Sequence, residues 1–302
     1  MIVTDIKDTH NINDIVELIQ KACQRISHYI RHCNPTDMAK LIGNDNISGD
    51  SIKILDKLSQ TFLFEALVNH TQIYGLISEE HDTIYKTKHS NGNYIVAFDP
   101  LDGSSNIEFN ITTGTIFAIY QLDENKQINS GRNIVSSGYC LYGGITQFVR
   151  TDIETDSVVM YRLNENNQTS HQIENGITMP NKGKYYSVNM ANMNKWLRSD
   201  TKDKLMVFNN EGYSLRYVGS MVADAHRVLM RGGLFMYPGD IKNKTGKIRF
   251  YYEAYPFAFL IEKAGGICTD FHHNILDIVA PYDIHASTPI VLGSKYEMNK
   301  II

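Results

Sequence analysis

The chain has 302 residues, 29 of them basic and 33 acidic, for a formal charge of -4; 42% are hydrophobic and 10% aromatic. That balance excludes a disordered chain and provides enough apolar surface for one large core or two of ordinary size. The near-neutral charge leaves no electrostatic footprint for nucleic acid or an anionic membrane surface.

Four cysteines, Cys23, Cys33, Cys140 and Cys268, are scattered without a metal-type or redox-type pair, which suits a reducing cytosol. Met1 to His10 carries Asp5 and Asp8 and no apolar run, so a signal peptide is not expected, and no apolar stretch is long enough to span a bilayer. The expectation is a cytoplasmic protein.

Ile12, Ile15, Val16, Ile19, Cys23, Ile26 and Ile30 fall at helical spacing and predict an amphipathic helix from about Ile12 to Ile30. A second helix is predicted from Ser51 to about Asn69, with Ile52, Leu55, Phe62 and Ala66 inward. Strand-like runs follow at Ile73 to Ile77, Tyr94 to Phe98, Thr115 to Leu122 and Ile145 to Arg150. Asn164 to Gln172 is polar and asparagine-rich and reads as a loop. Beyond it come a strand at Tyr185 to Val188, a helix from Ser220 to about Met230 and a strand at Leu234 to Tyr237. A helix from Pro256 to Lys263, stopped by Gly265-Gly266, and a last strand ending at Val291 complete the pattern. The fold class expected is α/β, with mixed sheets sandwiched between helices in two closely packed lobes, 1–180 and 181–302, dividing near Asn175 to Tyr185.

The most informative segment runs from Phe98 to Asn106. The strand-like run delivers Asp99 at its end, and Pro100 and Gly103 then bring Asp102 round the same bend. Two carboxylates in one turn repel unless a cation sits between them, and hard divalent ions take such oxygen ligands. Gly103, Ser104, Ser105 and Asn106 add small residues, hydroxyls and backbone N–H groups of the kind a phosphate needs. An isolated Asp-Pro-x-Asp-Gly is more often an ordinary surface turn. Here Ser78-Glu79-Glu80 follows another apolar strand, and two acid-tipped strand ends converging on one metal centre become the better reading.

The second half carries Asn210-Glu211-Gly212-Tyr213, Arg216-Tyr217, Tyr237 and Gly246-Lys247-Ile248-Arg249, then Tyr251-Tyr252-Glu253. Asn, Tyr, Lys and Arg are donors that hold sugar phosphates. Taken singly the tyrosines are as well explained as half-buried core, and Lys247 and Arg249 as solvated charges; spacing does not decide between the two.

Together these segments resemble the class I fructose-1,6-bisphosphatases. The resemblance rests on Ser78-Glu79-Glu80, on Phe98 through Ile107, on Gly114-Thr115-Ile116-Phe117, on Asn210 through Tyr213, on Arg216 through Asp224, and on Lys247 through Glu253 to Pro256, in one order from about Asp50 to Gly266. It implies magnesium ligands at Glu79, Asp99, the Leu101 carbonyl, Asp102 and Glu253, with two or more Mg²⁺ per subunit; Mn²⁺ would satisfy the same all-oxygen set. It implies further that Glu80, Asp56 and Asp50 are catalytic acids, that Asp102, Gly103, Ser104 and Ser105 meet the cleaved phosphate, and that Asn210, Tyr213, Tyr217, Tyr237 and Lys247 hold the sugar and its other phosphate. Arg216 is expected to reach in from a neighbouring subunit of a homotetramer.

The implied activity is metal-dependent removal of the 1-phosphate of fructose 1,6-bisphosphate, as in gluconeogenesis. Sedoheptulose 1,7-bisphosphate, alone or as a second substrate, is the nearest alternative, and a non-catalytic sugar-phosphate sensor a more distant one. Members inhibited by AMP usually carry a basic residue just before Tyr94 and another just after Tyr120; here Asn93 and Gln121 stand there. Weak or absent AMP inhibition is therefore expected.

Overall fold

The computed structural model describes residues 6–38, 40–45, 51–164 and 169–302. Its main sheet has eight strands in the spatial order Thr169–Glu174, Ser157–Asn164, Thr146–Asp152, Ile134–Tyr142, Thr113–Gln121, Tyr94–Asp102, Ile73–Ser78 and Tyr85–Lys86. Every neighbouring pair is antiparallel except Ile73–Ser78 beside Tyr94–Asp102, where Ser78 stands opposite Phe98 in a parallel register. A second, mixed sheet orders Ser214–Leu215, Tyr185–Ser187, Leu234–Tyr237, Ile290–Gly293 and Ile267–Thr269.

Apolar residues on both faces of the central strands explain the layering. Val96, Phe98, Phe117 and Ile119 pack with Ile15, Ile19, Cys23 and Leu63, beneath the helices Ile6–His32 and Ile54–Leu67. Ile95, Ala97, Ile116 and Ala118 point the other way, into a core shared with Val222, Ala225, Phe257 and Ile261. That core belongs to the helices Met221–Arg231 and Tyr255–Lys263, each of which touches both sheets. On the far side of the second sheet, Leu205 and Phe208 of helix Asp200–Asn210 and Met298 and Ile301 of helix Lys295–Ile301 bury Leu234, Met236 and Val291. The result is five alternating layers of helix and sheet, the α/β arrangement expected, with the strands of the main sheet running as continuous apolar stretches because both faces are covered.

Three local expectations are corrected. The stretch predicted as one helix from Ser51 begins as a strand, Ser51–Lys53, and turns helical only at Ile54. The Asp56 carboxylate accepts the Lys53 backbone N–H at 2.9 Å, which fixes the helix start there. The acid-bearing run does not stop at Phe98: the strand continues to Asp102, with a register break between Asp99 and Asp102 opposite Ile116 and Gly114. Pro100, which cannot donate to the ladder, sits in that bulge. The polar stretch read as a loop contains the end of one strand, Ser157–Asn164, and most of another, Thr169–Glu174. The latter forms the sheet edge and is largely exposed, so it lacks the apolar alternation that marks a half-buried strand.

Candidate active site

Glu79 follows directly on the strand Ile73–Ser78, and its backbone N–H reaches the Phe98 carbonyl at 3.4 Å, tying this strand end to the one that carries Asp99. Asp99 Oδ1 accepts the Leu101 N–H at 2.9 Å, closing the bulge on itself, while the Pro100 carbonyl accepts the Thr115 hydroxyl at 2.9 Å. Glu253 arrives from a single π-turn, Phe250–Ala254, that precedes helix Tyr255–Lys263; its Oε2 accepts the Arg249 N–H at 2.6 Å. Such wide turns recur at functional sites because they push one side chain out of the helical register. Carboxylate oxygens of Asp99, Asp102 and Glu253 thus come within 4.8 Å of one another.

Burial and mutual repulsion act together on these acids. Removal from water, and then the neighbouring Glu80, push the Glu79 carboxyl up to about 7. Asp99 and Glu253 are held well above the usual carboxylate range by burial first and by the surrounding carboxylates second. Asp102 is raised less decisively, because burial is opposed by hydrogen bonds from Ser220 and from the backbone at Val222 and Met221. Groups in this condition either keep protons or take a cation, and an all-oxygen donor set suits a hard divalent ion. The residues present therefore fit Mg²⁺ or Mn²⁺.

The cluster lines a cavity of about 480 Å³. Leu101, Gly103, Ser104 and Ser105 line it too, as do Tyr217, Tyr237, Lys247 and Arg249. Gly103 takes φ 76°, and a Cβ there would stand 2.6 Å from the Cβ of Ser220, so the turn into the short helix Ser104–Phe109 needs glycine twice over. Tyr217 is pushed up to about 12 by burial and by neighbouring Tyr237, and Tyr237 is also raised, so both phenols keep their protons and act as donors at neutral pH.

Other residues singled out in the sequence do not line the cavity, although Glu80 and Asp56 are near enough to Glu79 to raise its carboxyl. Glu80 is partly buried and adjoins Glu79, with its N–H on the Ser78 hydroxyl at 3.2 Å, and is not part of the cavity lining. Asp56 is buried at the head of helix Ile54–Leu67. Asp50 lies outside the described residues. Asn210 ends helix Asp200–Asn210 on the surface; Tyr213 is buried against Phe208 and donates its hydroxyl to Glu297 Oε1 at 2.6 Å. Arg216 extends over the Tyr185 ring, 5.8 Å from its centroid, and donates to the Leu215 carbonyl at 2.8 Å. None of these three lines the cavity of the isolated chain.

Sequence reasoning did not single out Lys53, whose ammonium enters the cavity and donates to the Ser104 carbonyl at 2.7 Å. Nothing in its local pattern distinguishes it from a solvated lysine. Arg249, read as solvated when taken singly, is a lining residue anchored on the His285 carbonyl at 2.6 Å; its place two residues after Lys247 was the usable signal.

Comparisons with known proteins agree with this geometry. Residues 4–169 match the family model described as fructose-1-6-bisphosphatase, N-terminal domain, and residues 179–302 match the corresponding C-terminal domain. A class 1 fructose-1,6-bisphosphatase of a Sulfurihydrogenibium species is 40% identical, covering 97% of this chain and 91% of that one, and fructose-1,6-bisphosphatase 1 of Bos taurus is 35% identical over 98% and 90%. The crystal structure of Leishmania major fructose-1,6-bisphosphatase in holo form superposes with a TM-score of 0.90 at 32% identity, over 96% of this chain and 93% of that one. Two domain matches that together cover most of the chain, and relatives this similar over nearly their full length, lead to one conclusion: the chain belongs to the class 1 fructose-1,6-bisphosphatase family.

Proposed function

We propose that this chain hydrolyses the 1-phosphate of fructose 1,6-bisphosphate to give fructose 6-phosphate and phosphate, a gluconeogenic step. The observation that carries the reading is one cavity lined both by a cluster of carboxylates and by phenols and cations. A bisphosphate has two anionic groups with different fates, and such a cavity treats them differently. Mg²⁺ or Mn²⁺ held by Glu79, Asp99, the Leu101 carbonyl, Asp102 and Glu253 would neutralise phosphoryl charge and make a water more acidic.

The remaining work falls to the chain. Gly103, Ser104 and Ser105 give the cleaved phosphate a close approach to small side chains and hydroxyl donors. Tyr217 and Tyr237 donate phenolic hydrogens to the sugar and the far phosphate, and Lys247 supplies a fixed positive charge for it. Glu80, beside Glu79, is proposed to take the proton of the attacking water, assisted by Asp56 and Asp50. Asn210, Tyr213 and a neighbouring subunit's Arg216 are proposed to complete the far-phosphate subsite in a homotetramer; the division into lobes 1–180 and 181–302 is likewise proposed. Among the described residues no helix is long and apolar enough to cross a membrane, and we place the enzyme in the cytoplasm.

Phosphate release with Mg²⁺ from fructose 1,6-bisphosphate and from sedoheptulose 1,7-bisphosphate tests the reading. A higher kcat/KM for the fructose substrate is expected. Binding of both without turnover would leave a sensor, and a preference for the seven-carbon sugar would reassign the substrate. With Asn93 and Gln121 where basic residues usually stand, AMP is expected to inhibit weakly.

A further inference from the structure

Helix Met221–Arg231 begins after Ser220, the position at which a serine hydroxyl ordinarily caps the first N–H groups, yet Ser220 makes no such bond. Its hydroxyl donates instead to Asp102 Oδ2 at 2.6 Å, and the Val222 N–H of the first helical turn donates to the same oxygen at 2.9 Å. Asp102, 118 residues earlier in the chain, has taken over the cap. Both partners are buried, Ser220 at 1% exposure and Asp102 at 8%. The turn before Ser220 is held from the opposite side by Asp224, whose carboxylate accepts the Val218 N–H at 3.0 Å and the Gly219 N–H at 3.1 Å. Tyr217, on the cavity wall, sits at the head of that turn.

We propose that Ser220 is a positioning residue for Asp102: it commits one carboxylate oxygen to the start of the helix, directs the other toward Asp99 and Glu253, and so couples the cation site to the turn that carries Tyr217. The physical reason is that a carboxylate free to rotate offers a cation either oxygen in several orientations, whereas one oxygen fixed by two donors leaves a single arrangement. Hydrogen-bonded partners of ligating carboxylates typically govern metal affinity by ~10–100-fold. The close fit of Gly103 against Ser220 adds a steric lock to the same contact. The cation site and the turn that carries Tyr217 thereby share a mechanical link, and whatever one does to the affinity of the other is returned by the same factor.

This inference rests on the reading of the carboxylates as a cation site, and its test keeps the two apart. Mn²⁺ is titrated into substrate-free protein by electron paramagnetic resonance, and Mg²⁺ by competition, in wild type, Ser220→Ala and Ser220→Cys. Ser220→Ala is expected to weaken cation binding by ~10–100-fold at unchanged metal-free melting temperature, with Ser220→Cys, a weaker donor of similar size, in between. The affinity for fructose 6-phosphate should improve on adding Mg²⁺ in wild type and respond less in Ser220→Ala. If Ser220→Ala fails to fold, Ser220→Cys decides by the same comparison with wild type. Unchanged cation affinity in the folded variant overturns the inference alone; wild type that binds neither cation overturns it together with the metal reading.

Discussion

Glu79, Asp99, Asp102 and Glu253 line one cavity, whereas Glu262 and Asp277 share the guanidinium of Arg132 on the protein surface at 2.6 and 2.8 Å. In the surface group the hydrogen bond from Arg132 lowers Asp277 below its ordinary range, although solvent weakens the attraction. In the cavity the acids lie beside one another in a poorly solvated space: burial raises every one of them, mutual repulsion adds to it at Glu79, Asp99 and Glu253, and hydrogen bonds oppose it at Asp102. Each acid of the surface triad has a cation against it; the carboxylates of the cavity cluster lie mainly against one another and call for an added cation. Arg249, beside Glu253, offsets that charge only in part, and Lys53 donates to the Ser104 carbonyl.

The sharpest way to break this contrast is Asp99→Asn, which removes a charge and keeps the side-chain shape and the oxygen that accepts the Leu101 N–H. Turnover should fall by roughly 10²–10³-fold or more, on the scale of losing one electrostatic contact to the transition state, while the metal-free protein should melt no lower than wild type. A fall in melting temperature with activity preserved would make Asp99 a structural acid. Next in size is the cation itself. Saturating Mg²⁺ should raise the melting temperature of wild type by ~5 °C or more, as expected for binding worth about 3 kcal/mol, and should move Asp99→Asn much less. Calorimetric scans with and without chelator measure both.

A third test uses a half-buried base that stands beside a like charge. His226 Nδ1 and the Tyr139 hydroxyl share a hydrogen bond at 2.7 Å, and burial, then Arg227, lower the imidazole to about 4. Because the folded value lies below the unfolded one near 6.5, its contribution is complete above pH 6.5 and is lost as the pH falls toward 4. Stability should drop by about 2 kcal/mol between pH 7 and pH 5 from this group, and His226→Gln should flatten that segment of the curve in denaturant titrations. The smallest effect belongs to the surface triad: Asp277→Asn should cost under about 1 kcal/mol and leave phosphate release unchanged. A large loss of activity there would mean that the charge reaches the cavity.

Much of the site was legible because its acids lie in short runs attached to apolar strands. Ser78-Glu79-Glu80 and Asp99 through Ser105 announce a strand end and a turn, and parallel pairing of their strands brings Glu79 beside Asp99. The bulge itself was hidden, since whether Pro100 ends a strand or sits within one depends on the neighbour at Ile116 and Gly114. Lys53 was hidden for a different reason: a lysine that enters a cavity has the same local pattern as one that enters solvent. The edge strand Thr169–Glu174 and the short helix Lys295–Ile301 escaped notice because the first is exposed and the second is only two turns long.

By itself the sequence determined several of the apolar strands, though not Ile134–Tyr142 or Ser157–Asn164, the places where acids interrupt them, and the kinds of donor available for a sugar bisphosphate. Those follow from local chemistry and from the periodicity of side chains along the backbone. Only the tertiary structure decided that Glu253 joins Asp99 and Asp102, that Ser220 caps nothing locally and holds Asp102 instead, and that the Tyr213 hydroxyl turns to Glu297. Each of these contacts joins residues more than 80 positions apart, and packing of the layers, not any preference of the segments, sets where such partners meet. A net charge of only -4 thus conceals a cavity lined both by gathered acids and by cationic and phenolic donors.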